Sequence, residues 1–177
     1  MNKIVYYVAT SLDGYICGEN EDISGFLPNG NGVQKYLDDL KEFDTVIMGR
    51  KTYEFGYKFG LQPGALPYPQ MNHFIFSETL SIENSDRKLK VSKLDLNTIS
   101  SIRMTSKTDI YLCGGGDFAG WLLDNEQIDI LKLKVNALLL GKGVRLFGNS
   151  KKEHQLKLLD SEKYDGGLLI NTYNIKY

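Results

Sequence analysis

The sequence predicts a single α/β domain spanning 1–177: a mixed, mostly parallel central sheet with helices on both faces and an antiparallel hairpin near the carboxyl end. Three observations predict it. Lys3-Ile4-Val5-Tyr6-Tyr7-Val8-Ala9 is β-branched and aromatic almost throughout, as a central strand covered on both faces should be. Two further apolar runs, Thr45-Val46-Ile47-Met48 and Ile110-Tyr111-Leu112-Cys113, each pass through glycine into a helical pattern, which suits parallel strands joined by right-handed crossovers. Asp165-Gly166-Gly167 separates two runs that pair naturally, 155–164 and 168–175, a strong hairpin signal.

The elements follow in order. The first strand ends at Thr10-Ser11-Leu12-Asp13-Gly14, and residues 15–31 turn to Gly, Asn, Asp and Glu around the apolar island Phe26-Leu27-Pro28. This reads as a long loop of the kind kept for function, placed to cover a site. Val33, Tyr36, Leu37 and Leu40 are spaced three and four apart and predict a helix over 32–43 with one buried face. After the strand at 45–48, Gly49-Arg50-Lys51-Thr52 leads into a short helical pattern at Tyr53-Glu54-Phe55. Three of the four prolines fall within 56–70, an irregular excursion. Strands are expected at 72–77, 89–91 and 109–113, then a helix at 117–123 and an alternating strand at 128–135.

Composition narrows the function. Apolar residues are 42% and charged residues 24% of the chain, ordinary globular usage. A net charge of −1 gives no pull toward nucleic acid or an anionic membrane. Neither a basic leader with an apolar core nor an apolar run of about 18 residues is present, so a cytoplasmic protein is expected. Cys17 and Cys113, the two cysteines, read as reduced and buried, with no set for zinc or other metal. His73 and His154 read as surface groups rather than bases.

The chemistry concentrates at the two strand–glycine–helix junctions. Gly114-Gly115-Gly116 lets the backbone turn tightly and lets a bulky anion approach main-chain N–H groups at a helix start. Gly114, Gly116 and Ala119 satisfy the loose G-x-G-x-x-G/A pattern, although too little chain follows for an ordinary Rossmann unit. At the other junction Arg50 can fork onto a phosphate, Lys51 adds a point charge and Thr52 adds a hydroxyl. Cations at a helix N-terminus oppose the macrodipole by roughly 0.3–1 kcal/mol, and a locally unfavourable choice hints at an anion. Asp13 is the best-placed carboxylate to supply a proton, or else a turn former; Asp38 and Asp39 are poorer candidates. Phe26, Tyr53, Phe55 and Tyr57 offer flat walls for a heterocycle or simply belong to the core.

Five motifs in order, 8–16, 46–54, Phe76-Ser77, 113–118 and 138–147, resemble the dihydrofolate reductase superfamily across nearly the whole chain, closest to the RibD C-terminal-like reductase domain of riboflavin biosynthesis and its small stand-alone relatives. The resemblance implies a nicotinamide cofactor, usually NADPH, across the carboxyl edge of the sheet. Ala9 and Ile16 would flank the nicotinamide; Gly49, Arg50, Lys51 and Thr52 would hold phosphates; Phe76 and Ser77 would border the adenosine; Gly114, Gly115, Gly116, Asp117 and Phe118 would receive the pyrophosphate, with Gly114–Gly115 as the family's cis peptide. Phe26 and Tyr53 are the expected substrate contacts. Glu78 stands where relatives often carry Ser or Arg facing the 2′-phosphate, which leaves NADPH against NADH open. The helix after the long loop begins Gly32-Val33-Gln34 and lacks the carboxylate that folate reductases carry there. The activity so implied is NAD(P)H-dependent reduction of a small heterocycle, of the 5-amino-6-(5-phosphoribosylamino)uracil reductase type. Dihydrofolate reduction and non-catalytic nucleotide binding are the alternatives, and a homodimer through the C-terminal hairpin is expected.

Overall fold

Eight strands form one sheet in the order β5-β4-β3-β6-β1-β7-β10-β9 in the computed structural model, which describes residues 1–177. The strands are β1 (Ile4–Ser11), β3 (Thr45–Gly49), β4 (Asn72–Phe76), β5 (Leu89–Ser92), β6 (Ile110–Gly114), β7 (Ile130–Asn136), β9 (Gln155–Lys163) and β10 (Leu169–Lys176). Pairing from β5 to β7 is parallel, while β10 runs antiparallel to both β7 and β9. A separate two-stranded ribbon pairs β2 (Tyr15–Cys17) with β8 (Val144–Arg145) and ties the start of the long loop to the segment after β7. The mixed sheet and the hairpin expected from the sequence are both present.

Strand alternation sends successive side chains to opposite faces, and each face is covered. Ile4, Tyr6, Ile47, Ile110 and Leu112 pack under α3 (Leu96–Thr105) and α4 (Gly116–Asp124). Val5, Tyr7, Val46, Met48, Ile75 and Tyr111 pack on the other face, against Tyr36 of α1 (Asn31–Asp39), Tyr53 of α2 (Arg50–Phe55) and Met71 of the excursion. The core is thus two layers separated by one sheet.

Several elements differ from the sequence reading. Helix α2 starts at Arg50, so the whole Arg-Lys-Thr motif lies on its first turn. Helix α3 carries no label in the sequence reading, because Leu-Asn-Thr-Ile-Ser-Ser is poor in helix formers. Its signal was Asp95, whose carboxylate accepts the N–H groups of Asn97 and Thr98 as an N-cap. His73 is not a surface group but fully buried: its Nδ1 bonds the Met71 carbonyl at 3.1 Å and its Nε2 accepts the Tyr68 N–H at 3.3 Å. Burial pushes its pKa down to about 4. The thiols of Cys17 and Cys113 are free, Cys17 buried and Cys113 half-buried.

Candidate functional site

A cavity of about 870 Å³ opens along the carboxyl edge of β3, β4 and β6. The two glycine junctions lie side by side on its floor, because β3 and β6 are neighbours with Met48 in register with Gly114. Contact there is close. A Cβ on Gly49 would lie 3.2 Å from Phe118 Cβ, and one on Gly115 would lie 2.9 Å from Thr52 Oγ1. Gly114 has φ +136°, a backbone conformation that a side chain strains, and the Gly114–Gly115 peptide is cis. Helix α4 begins with no side-chain cap, so its first-turn N–H groups have no partner from the helix or from a capping side chain.

Gly116 has a different purpose from its two neighbours. A Cβ there would strike the Arg145 carbonyl oxygen at 2.3 Å, and one on Gly120, a turn later, would meet the Phe147 carbonyl oxygen at 2.4 Å. The segment after β8 therefore lies directly on a side-chain-free stripe of α4, which is how Val144, Arg145 and Gly148 come to line the cavity.

Three cations and three carboxylates border the cavity, and most are paired nearby. Arg50 holds Glu54 at 2.7 Å one turn along α2, which fixes the guanidinium and leaves its remaining donors available. Lys51 lies 3.7 Å from Asp117, with both side chains largely exposed, and Glu78 lies 3.5 Å from Lys93 in the same way. Exposed pairs of this kind are worth about 0–1 kcal/mol and are easily exchanged for a ligand.

The inner end is apolar and aromatic. Tyr53 is 1% exposed; its hydroxyl donates to the Ala65 carbonyl at 2.9 Å and accepts the Gly64 N–H at 2.8 Å, so only the ring is offered to the cavity. Tyr68 and Cys113 meet beside it, Oη to Sγ at 3.6 Å. Burial raises the pKa of both groups, so both carry their protons at neutral pH. Ile16, Cys17, Glu21 and Ile23 close this end from the long loop.

Of the residues singled out in the sequence, Ile16, Gly49 to Tyr53, Phe76, Ser77 and Gly114 to Phe118 line this one cavity. Three do not. Val8 lines it instead of Ala9, which is in register with Lys134 on β7. Asp13 is fully engaged elsewhere: its carboxylate accepts the N–H of Gly141 at 2.7 Å and of Leu140 at 3.1 Å. The Ser11 hydroxyl beside it and these N–H groups hold its pKa down to about 2, so it is a turn-forming carboxylate and not a proton source. Phe26 is half-buried behind the loop and does not reach the cavity. Asp38 pairs with Lys41 and Asp39 with Lys35 and Lys132, which removes both from consideration. Tyr68 was missed, and the 138–147 motif carried no assigned role, although Gly143, whose Cβ would strike the Cys17 carbonyl oxygen at 2.1 Å, marks its close approach to the long loop.

Sheet order, helices on both faces and the antiparallel C-terminal pair define a dihydrofolate-reductase-like α/β protein. The family is narrower. The model of the RibD C-terminal domain matches residues 2–170, and the chain belongs to that family. It is 26% identical over 163 residues to YwjB, an uncharacterized protein of Bacillus subtilis (strain 168), covering 92% of each chain. A crystal structure described as a putative riboflavin biosynthesis protein from Shewanella sp. PV-4 superposes over 100% of both chains with TM-score 0.84 and 27% identity. The diaminohydroxyphosphoribosylaminopyrimidine deaminase/5-amino-6-(5-phosphoribosylamino)uracil reductase of Thermotoga maritima shares the fold, with TM-score 0.72 and 14% identity over 99% of this chain and 57% of that one. No helix is long and apolar enough to cross a membrane.

Proposed function

We propose that the protein is a reductase of a small heterocyclic substrate that uses a reduced nicotinamide dinucleotide, of the 5-amino-6-(5-phosphoribosylamino)uracil reductase type. The observation that carries this reading is the convergence of residues 49–52 and 114–118 on one cavity, with glycine at 49 and 115 where a Cβ would crowd the other segment. The fit is good on this structure's own terms: an elongated cleft of about 870 Å³ has main-chain N–H groups and cations at its middle and an apolar aromatic end.

Arg50, Lys51, the Thr52 hydroxyl and the first-turn N–H groups of α4 hold the diphosphate. Phe76 and Ser77 border the adenosine. When bound, the dinucleotide supplies the hydride, and the protein aligns donor and acceptor and excludes water. Ile16, Tyr53, Tyr68 and Cys113 form the wall against which the acceptor ring lies. The Tyr68 hydroxyl and the Cys113 thiol are the proton-bearing groups of that wall, in place of the carboxylate a folate reductase uses.

We further propose a cytoplasmic homodimer. Leu156, Leu158 and Leu159 are 45%, 54% and 50% exposed on β9, the outermost strand of the sheet, and a second copy would cover them.

The test is to follow dinucleotide absorbance at 340 nm against a panel of phosphoribosylamino pyrimidines, pterins and simple carbonyls, 340 nm being roughly where reduced nicotinamides absorb and oxidised ones do not. Loss of signal with the pyrimidine is the expected result. Tight dinucleotide binding with no turnover of any compound would leave a binding protein and overturn the enzyme.

A further inference from the structure

We propose that Glu78 makes this site selective for NADH over NADPH, an inference that rests on reading the cavity as a nicotinamide dinucleotide site. The two dinucleotides differ only in a 2′-phosphate on the adenosine ribose. Its surroundings follow from the shape of the cavity. With the diphosphate between the two junctions, one nucleoside faces the closed wall at Tyr53, Tyr68 and Cys113, and the other faces the end of β4. The ring that reacts belongs at the apolar, aromatic wall, away from the charged rim. The adenosine therefore lies along Phe76, Ser77, Glu78 and Thr79.

That end is built for hydroxyls rather than for a phosphate. Ser77 Oγ accepts the N–H of Thr79 at 3.1 Å and of Leu80 at 2.9 Å, so the turn is pinned and Glu78 projects from it at the cavity rim. The cations bordering the cavity, Arg50, Lys51 and Arg145, all belong to the two junctions or the segment packed on them; Gly49 is in register with Phe76, so Arg50 and Lys51 begin beside this end, but the charged side chain of the 76–79 turn itself is the Glu78 carboxylate. The nearby Lys93 does not border the cavity, and its Nζ is held 3.5 Å from the Glu78 carboxylate. A carboxylate in this position accepts hydrogen bonds from the ribose hydroxyls and repels a dianionic phosphate.

The experiment is calorimetric titration of the intact protein with NADH and with NADPH, in the wild type and in the Glu78→Gln, Glu78→Arg and Lys93→Ala variants. The wild type should bind NADH at least ~10-fold more tightly than NADPH, a difference of about 1.4 kcal/mol. Glu78→Gln should narrow that ratio and Glu78→Arg should reverse it. Glu78 is exposed, and a thermal melt of each variant checks that its fold is kept. Equal affinities, a wild type that prefers NADPH, a ratio indifferent to residue 78, or a Lys93→Ala variant that loses NADPH alone would overturn the inference while leaving the dinucleotide site standing. Failure of both dinucleotides to bind would overturn the site itself, and this inference with it.

Discussion

Thr52 Oγ1 stands 2.9 Å from the point that a Cβ on Gly115 would occupy, so the two halves of the cavity floor meet there with no room for a methyl group. Gly115→Ala should force Thr52 aside and weaken dinucleotide binding roughly tenfold, about 1–2 kcal/mol, the range of a modest overpacking cost. In a Thr52→Ala background the same substitution should cost much less, since the hydroxyl it strikes is gone. Titration of the four proteins in a double-mutant cycle measures the coupling, and strictly additive losses would show that the contact does not shape the site.

Arg50 is braced by Glu54 at 2.7 Å, which presents its remaining N–H groups to the cavity in a fixed direction. Arg50→Ala should weaken dinucleotide binding by about 1.5–3 kcal/mol, the scale of a charge-assisted hydrogen bond, with little change in thermal stability. Affinity unchanged on titration would remove Arg50 from the site.

Asp13 offers the opposite expectation. Its carboxylate is committed to the N–H groups of Leu140 and Gly141, outside the cavity, and is ionised down to about pH 2. Asp13→Asn should leave turnover within about threefold of wild type at neutral pH, since removal of a general acid costs typically 10²–10⁴-fold. A loss of that size in kcat would restore Asp13 as the proton donor.

His73 makes the fold sensitive to acid. The buried imidazole is neutral, and burial depresses its pKa from 6.5 to about 4. Between those values the unfolded chain binds a proton that the native chain refuses. This contribution is complete above pH ~6.5, falls as the pH drops toward ~4 and levels off below it, a loss on the order of 3 kcal/mol. Urea denaturation across this window reads the slope directly. His73→Leu should flatten it while lowering stability at neutral pH, because the Tyr68 N–H and the Met71 carbonyl lose their partner.

The edge strand β9 should carry the dimer. Its register against β10 skips Leu159, which sits as an extra residue between Leu158 and Asp160 and blunts the edge, while Leu156 and Leu158 share one face. Replacing both Leu156 and Leu158 with Lys should turn a sedimenting dimer into a monomer at micromolar concentration. A wild type that is already monomeric would contradict the expectation.

The fold was legible wherever one residue type settles a local question. The buried run from Ile4 to Tyr7, the Asp165-Gly166-Gly167 turn and the glycine that ends each of β3 and β6 depend only on periodicity and backbone freedom. The site was legible in the same way along 49–53 and 114–118, because strand, turn and helix start are contiguous there. What the sequence concealed was tertiary. Whether Val8 or Ala9 reaches the cavity depends on how the end of β1 sits against its neighbours. Whether Asp13 is free depends on Leu140 and Gly141, more than a hundred residues away. Tyr68 lies in a loop without periodicity, and only the folded chain brings it to Cys113.

The most direct measurement is a crystal structure of the protein grown with NADH or NADPH. Expected is one dinucleotide in the cavity, its diphosphate between Arg50-Lys51-Thr52 and the start of α4, its nicotinamide against Tyr53 and Tyr68. A dinucleotide seated elsewhere, or a diphosphate touching neither junction, would contradict the reading of this chain as a dinucleotide-dependent reductase.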